Sequence, residues 1–408
     1  MTSAPTDLAA QLDRQDPLAG FRERFVGAGD PLVYFDGNSL GRPLSATGPR
    51  IQRFVDEEWG GRLIRGWDEG WMDLPHRIGD DLGRICLGAA AGQTVVGDST
   101  TVLLYKMMRA AVAARPGRTE IVIDRDNFPT DRYVAAGIAD ELGLTLRWIE
   151  VDTTEGVTVE QLADAVGPAT ALVVVSHVAY RSAWLADLPE LVRITHEAGA
   201  LILADVCHSA GSVPLALDAW DVDIAVGCSY KYLNGGPGAP AFVYVASRLI
   251  DELTQPIRGW IGNDDPFLMG PSYTPAPGIR RFLSGTPPIL GMLAVRDMLE
   301  LLDEAGIDAV RDKSVALTQY AIDLTDEVLV PAGAVLASPR EADRRGGHVT
   351  VNHPAMREVT ARLWAQDVIP DYRDPGGLRL GLSPLSTSFG EVERGVEIVR
   401  ATLDALTA

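Results

Sequence analysis

The sequence predicts an α/β fold: a large domain on a mostly parallel sheet, followed by a smaller α+β C-terminal domain. Three observations predict it. Short β-branched runs alternate with segments of helical apolar spacing between about residues 100 and 245, the pattern of successive βαβ units. Runs such as ALVVVS (171–176) are apolar on both faces, as strands covered by helices on both sides must be. After about residue 290 the alternation stops, and two long helical segments lead into short strands and further helices.

The elements follow in order. Residues 1–30 read as a helical N-terminal segment that packs against one of the domains. The large domain is expected over 31–290, with strands EIVID (120–124), TLRWIEV (145–151), ALVVVS (171–176), ALILAD (200–205), DIAVG (223–227) and AFVYV (241–245). Apolar residues spaced near 3.6 place helices at 101–114, 131–143, 158–166 and 188–199. The stretch 256–288 is dense in Pro, Gly and aromatics; it is too long for a simple linker, and long loops of this kind are usually functional. The small domain is expected over 291–408. Helices are read at 288–306 and 308–327, strands at 334–338 and 348–353, and closing helices near 355–366 and 389–406.

Composition excludes several classes. With 408 residues, 46% apolar and 23% charged, the chain can bury large cores and is not disordered. A formal net charge of −20 argues against nucleic acid or an anionic membrane as partner, since both require a basic face. No apolar run approaches the roughly 18–20 residues of a membrane span, and the opening MTSAPTDLAAQLDRQDPLAG lacks the pattern of a secretory signal. Cys86, Cys207 and Cys228 form no C-x-x-C pair, so reduced thiols and a cytoplasmic location are expected. His76, His177, His196, His348 and His353 are dispersed, and no metal site is expected.

Only three of the 36 basic residues are lysine: Lys106, Lys231 and Lys313. Lys231 stands in GCSYKYLNGGPG (227–238), a Gly- and Asn-rich loop just past a strand. A lysine there can be desolvated and act as nucleophile or Schiff-base former; it can equally be a surface residue in a turn. Lys106 and Lys313 lie inside helical segments, where solvated lysines are the rule. Asp205 ends the apolar strand of ILADVCHSAG (202–211), at the ligand edge of a parallel sheet, or it is simply the N-cap of the next helix. In GDSTTVLLYKMM (97–108), Ser99, Thr100 and Thr101 open a helix. Such an N-terminus can hold a phosphate, though ordinary capping uses the same residues. Phe128, in NFPTDRY (127–133), is placed to stack on a planar ring or to join the core.

An Asp at one strand end and a Lys one β-unit later resembles the fold-type-I pyridoxal-phosphate enzymes, in which a carboxylate pairs with the pyridine nitrogen. The resemblance sharpens along nearly the whole chain. YFDGNSLGRP (34–43), NFPTD (127–131), ADVCHSAG (204–211), CSYKYLNGGPG (228–238), RGWIG (258–262), PAPGIRRFLSGTPPIL (275–290), DYRDP (371–375) and LRLGLSP (378–384) are similar, in order, to bacterial kynureninases. That resemblance implies the fold-type-I transferase fold, pyridoxal 5'-phosphate as cofactor, and a homodimer with active sites at its interface. It implies that Lys231 forms the Schiff base and moves protons, and that Asp205 pairs with the ring nitrogen. His208 and Asp131 would sit close by, and Phe128 would stack on the ring. Thr100, Thr101, Ser176, Tyr230, Trp260 and Thr286 would hold the phosphate and its surroundings, Trp260 and Thr286 from across the dimer interface, and Tyr230 would also serve catalysis. Arg379 would bind the substrate carboxylate as a bidentate pair, and Ser39, Trp67, Asn263 and Gly285 would line the substrate pocket. A Gly-Thr pair such as Gly285 and Thr286 goes, in the family, with a preference for kynurenine over its 3-hydroxy derivative. The implied reaction is hydrolytic Cβ–Cγ cleavage of L-kynurenine to anthranilate and L-alanine.

Two positions depart from the family pattern. G-W-x-G-H becomes GWIGN, placing Asn263 at the histidine, and P-L-Y becomes PLS, placing Ser386 at the tyrosine. Losing a titratable ring and about a ring's volume points either to an alternative substrate, a substituted kynurenine or another β-substituted or γ-oxo amino acid, or equally to neutral change at positions behind those that touch the substrate.

Overall fold

The computed structural model describes residues 8–407. Its strands in chain order are β1 (Val33–Phe35), β2 (Thr94–Val96), β3 (Glu120–Asp124), β4 (Thr145–Ile149), β5 (Thr170–Ser176), β6 (Leu201–Asp205), β7 (Ile224–Cys228), β8 (Ala241–Val245), β9 (Val335–Leu336), β10 (His348–Asn352), β11 (Val368–Arg373) and β12 (Gly377–Gly381). Seven build a sheet in the order β2-β8-β7-β6-β5-β3-β4. Only β8 runs against its neighbours, so the sheet is mostly parallel. The central strands β6, β7 and β8 are buried at every position, which is why they read as continuous apolar runs. The edge strand β4 alternates exposed and covered residues along its length, so its charges have somewhere to go. Helices Pro129–Leu142, Val159–Ala165 and Leu188–Glu197 return the chain between successive parallel strands.

The second sheet has the order β1-β11-β12-β10-β9. β1 joins it in parallel, Val33 opposite Val368, so the expected domain boundary at residue 31 does not hold. The described N-terminal segment is shared: Leu18, Phe25 and Ala28 join the core of the large sheet, whereas its first helix lies on the small-sheet side. Ala9 enters the same apolar cluster as Val392 and Val396. The Asp13 carboxylate accepts from the N–H groups of Phe389 (2.8 Å) and Gly390 (3.0 Å), capping the C-terminal helix Phe389–Thr407 from elsewhere in the chain. The boundary expected at 290 shifts as well. Helix Ile289–Ala305 places Met292, Val295, Leu299 and Leu302 in the core of the large sheet, because its apolar residues are not confined to one stripe.

Residues 47–87 form a succession of helical turns, three of them widened to π geometry. The stretch 256–288 is irregular apart from short turns at Trp260–Gly262 and Gly278–Phe282. Among the described residues, no helix is long and apolar enough to cross a membrane.

Candidate active site

Strands β3, β5, β6 and β7 end at one edge of the large sheet, with Ser176 level with Asp205. Helix Thr100–Ala113 starts beside them, capped by Ser99, whose Oγ accepts from the Val102 N–H at 3.4 Å. Between them lies a cleft lined by Thr100, Thr101, Phe128, Thr130, Asp131, Ser176, Val178, Tyr180, Asp205, Cys207, His208, Tyr230 and Lys231.

Lys231 is held by a tight reversal after β7. The Gly235 N–H donates to the Ser229 carbonyl (2.8 Å) and the Asn234 N–H to that of Lys231 itself (3.0 Å). Asn234 takes φ +49°, a left-handed conformation that asparagine tolerates, and its side-chain amide donates to the Arg42 carbonyl (2.7 Å). A side chain at Gly41 would meet Asn234 and the Lys231 carbonyl at 2.5 Å, so only glycine lets this loop approach. The Lys231 ammonium is 9% exposed and lies 5.7 Å from the Phe128 ring centre. The expectation of solvated Lys106 and Lys313 is not met: both are buried. Each is matched by a carboxylate, Lys106 by Asp98 at 2.5 Å and Lys313 by Asp16 at 2.6 Å, which is what permits burial. Lys231 makes no ion pair among the described residues and is the one free amine of the three.

Asp205 is buried, and its Oδ1 accepts the Cys207 N–H at 2.7 Å. Asp131 is buried beside it. Burial, and then the charge of Asp205, push the Asp131 carboxyl well above the usual range. His208 is pushed well below its ordinary value by burial and then by the Lys231 charge; it is neutral. Tyr230 is raised by burial and keeps its proton.

Phe128 is set by Asn127, which sequence reasoning missed. The Asn127 Oδ1 accepts from the Phe128 N–H (2.8 Å) and the Ser176 hydroxyl (3.1 Å), and its Nδ2 donates to Asp124 (2.8 Å). Asparagine before FPTD in NFPTD was the available signal, since Asn commonly binds the backbone that follows it. Tyr180, also missed, presents its ring edge to Phe128 at 5.4 Å and 89°. Nothing local in HVAYRS marks it.

Arg379, mid-strand in β12, is fully buried. Its Nη1 donates to the Tyr180 carbonyl (2.5 Å), its Nη2 to Ser39 Oγ (2.9 Å), and Asp371 is its ion-pair partner. Asp36, in the same motif as Ser39, is raised to about 6 by burial.

Ser39 and Arg379 meet this cleft only through Tyr180, and five further predicted residues lie away from it. Trp67 and Thr286 line a separate surface groove with Phe54, Trp59, Trp71 and Leu290. Trp260 packs against Phe267 at 6.0 Å, and Gly285 is exposed. Asn263 does not face the Lys231 cleft of its own chain: its amide closes its own loop, Nδ2 donating to the Asp265 carbonyl (2.9 Å) and Oδ1 accepting from the Thr274 N–H (2.8 Å). Ser386 is buried in the turn after β12.

The chemistry of the donor set fits pyridoxal phosphate. A free amine, a carboxylate, an open aromatic face and a helix N-terminus with two threonine hydroxyls surround one cleft. Asp131 Oδ2 and His208 Nδ1 are buried there without a hydrogen-bond partner among the described residues.

The aminotransferase class-V family model matches residues 87–364. Kynureninase from Pseudomonas fluorescens is 41% identical over 404 residues, spanning 97% of this chain and 95% of that protein. The chain belongs to the kynureninase family. Kynureninase from Burkholderia pseudomallei (strain 1106a) is likewise 41% identical over 402 residues. Solved structures extend the likeness at the level of fold. The apo cysteine desulfurase of Thermococcus onnurineus NA1 superposes with a TM-score of 0.80 at 18% identity, covering 99% of both chains. A C-DES variant with glycine covalently linked to its PLP cofactor gives 0.82 at 18%, covering 93% of this chain and 98% of that one. The kynureninase chain therefore has the α/β fold of the type-I pyridoxal-phosphate enzymes.

Proposed function

We propose that the protein is a pyridoxal-phosphate-dependent kynureninase that hydrolyses the Cβ–Cγ bond of L-kynurenine to anthranilate and L-alanine. The observation that carries this reading is the single unpaired lysine in one cleft with Asp205, Phe128 and the Thr100–Ala113 N-terminus, in a chain 41% identical to kynureninases. Bound pyridoxal phosphate supplies the electron sink for charge released at the substrate α-carbon. Lys231 would hold the cofactor through Nζ and, when released, would be placed to take the α-proton. Asp205 would pair with the pyridine nitrogen, with Asp131 beside it. Phe128 would cover the ring, and Thr100, Thr101 and the helix amides would hold the phosphate. The Arg379 fork, steadied by Ser39, receives the substrate carboxylate. Tyr230 keeps its proton and is the donor near the reacting carbons. Water attacks the γ-carbonyl; anthranilate leaves first and alanine follows.

The active unit of this reading is a cytoplasmic homodimer. Trp260, Asn263, Gly285, Thr286 and Trp67 then complete the partner's cleft rather than their own. Support comes from the aromatic groove at Trp67 and Thr286, where Trp59 is 51% and Leu290 43% exposed, a surface that association would cover. All three cysteines are buried and unpaired, in keeping with a reducing compartment. Ser386 in place of the family's tyrosine favours a second reading, a ring-substituted kynurenine as the preferred substrate.

Product analysis decides. The cofactor-loaded protein is incubated with L-kynurenine, and anthranilate and alanine are followed together. Equal release of both is expected, with turnover falling to background in Lys231→Ala. Bound cofactor without anthranilate would overturn the activity, and faster cleavage of a ring-substituted kynurenine would establish the second reading.

A further inference from the structure

The segment 178–186 leaves β5 and crosses to the small sheet. Donors from that side hold its backbone: Gly346 N–H to the Ala183 carbonyl (2.8 Å) and the Thr350 hydroxyl to that of Arg181. In return, the Leu185 N–H donates to the Arg344 carbonyl (2.8 Å). From the large-sheet side, the Ser182 hydroxyl donates to the Glu155 carbonyl (2.8 Å), and Arg181 pairs with Asp126 at 2.8 Å. Ala183 sits at φ +64°, a left-handed conformation that persists only where surroundings enforce it. The segment is a fixed strap between the two cores.

Tyr180 is the residue of this strap that touches both halves of the site. Its ring lines the cleft and meets Phe128 edge-on at 5.4 Å. Its carbonyl accepts Arg379 Nη1 at 2.5 Å. Phe128 comes from the loop after β3, whereas Arg379 lies on β12. No direct contact between them is needed if one residue holds each. The Arg379 fork is already committed on both terminal nitrogens, to Tyr180, Ser39 and Asp371. A carboxylate arriving there must share or displace these bonds, so the Tyr180 carbonyl feels its arrival.

We propose that Tyr180 is a positioning residue that couples the guanidinium receiving the substrate carboxylate to the aromatic ring covering the cofactor. The inference rests on the roles proposed above for Arg379 and Phe128. It makes a demand that those roles alone do not make: a change at Arg379, remote from the cofactor, must alter how tightly the cofactor is held.

The test is a double-mutant cycle read as the cofactor dissociation constant, without substrate. Arg379→Lys is expected to weaken cofactor binding about two- to tenfold, the range of an aromatic edge-to-face contact. Tyr180→Leu, which keeps the carbonyl but loses the ring edge, is expected to weaken it similarly. Adding Arg379→Lys to Tyr180→Leu is expected to change nothing further. Tyr180→Phe, which keeps both contacts, is expected to restore the wild-type constant and absorbance band. Full multiplication of the two effects would overturn the coupling. So would unchanged cofactor affinity in Arg379→Lys, a result that needs no Tyr180 variant to fold. If the wild-type protein takes up no cofactor at all, the functional reading fails instead, and the two failures are distinct.

Discussion

At the scale of single residues, the site is shaped by carboxyl groups that burial perturbs. Asp131 is pushed well above the usual range by burial and by its neighbour Asp205. Asp124, at the end of β3, is pushed up to about 6 by burial, while its carboxylate oxygen accepts from Asn127. A raised carboxyl favours folding while protonated, and that contribution is lost as pH rises through the folded value. The native protein should therefore lose stability on account of Asp124 between about pH 4 and pH 6, on the order of 3 kcal/mol for a shift of this size. Asp124→Asn, which keeps an acceptor for Asn127, should lack that decline. Thermal unfolding of both proteins from pH 4 to 7 checks this, and parallel curves would contradict it. The residues that sequence reasoning missed act indirectly. Tyr180 meets Phe128 through a ring contact that leaves no pattern in composition or spacing, and Asn127, which accepts from the Phe128 N–H, is marked only by its place before FPTD. Lys313 was misjudged because its partner Asp16 lies far away in sequence, so nothing beside the lysine shows that its burial is compensated.

At the scale of elements, legibility follows burial. β5, β6 and β7 are covered on both faces, and their apolar runs reveal them; their carboxyl ends then locate Ser176, Asp205 and Lys231. β12 is equally buried but carries Arg379 in its centre, and a charge inside GLRLG hides the strand. β1 is three residues long and is stabilised by β11 at the other end of the sequence, so no local window could place it. The same remoteness applies to the cap of the C-terminal helix. Asp13 satisfies two amides that would otherwise be orphaned. Asp13→Ala should cost about 1 kcal/mol, measurable as a lower urea midpoint with an unchanged slope.

For the whole molecule, the division of site residues between two places matters most. The Lys231 cleft and the Trp67–Thr286 groove are separate in one chain, and the proposed dimer is what joins them. Two inactive proteins, Lys231→Ala and Trp260→Ala, should therefore regain anthranilate production when mixed and allowed to exchange subunits, because one hybrid site carries neither change. Absence of recovery, with exchange verified by native mass spectrometry, would leave Trp260 acting within its own chain.

The pairing of β1 with β11 also constrains the order in which a growing chain can mature. The last strand of the large sheet ends at Val245 and helix Ile289–Ala305 fills out its core, so that core can condense once this helix has emerged, while the remainder is still being synthesised. Val33–Phe35 must wait, because its neighbour Val368–Arg373 does not yet exist. Ser39, four residues past β1, and Arg379, on β12, come together only in that last step. The lysine pocket can therefore be in place long before the carboxylate clamp, and a protein interrupted late in synthesis would have somewhere to hold a cofactor but no means of orienting an amino acid on it.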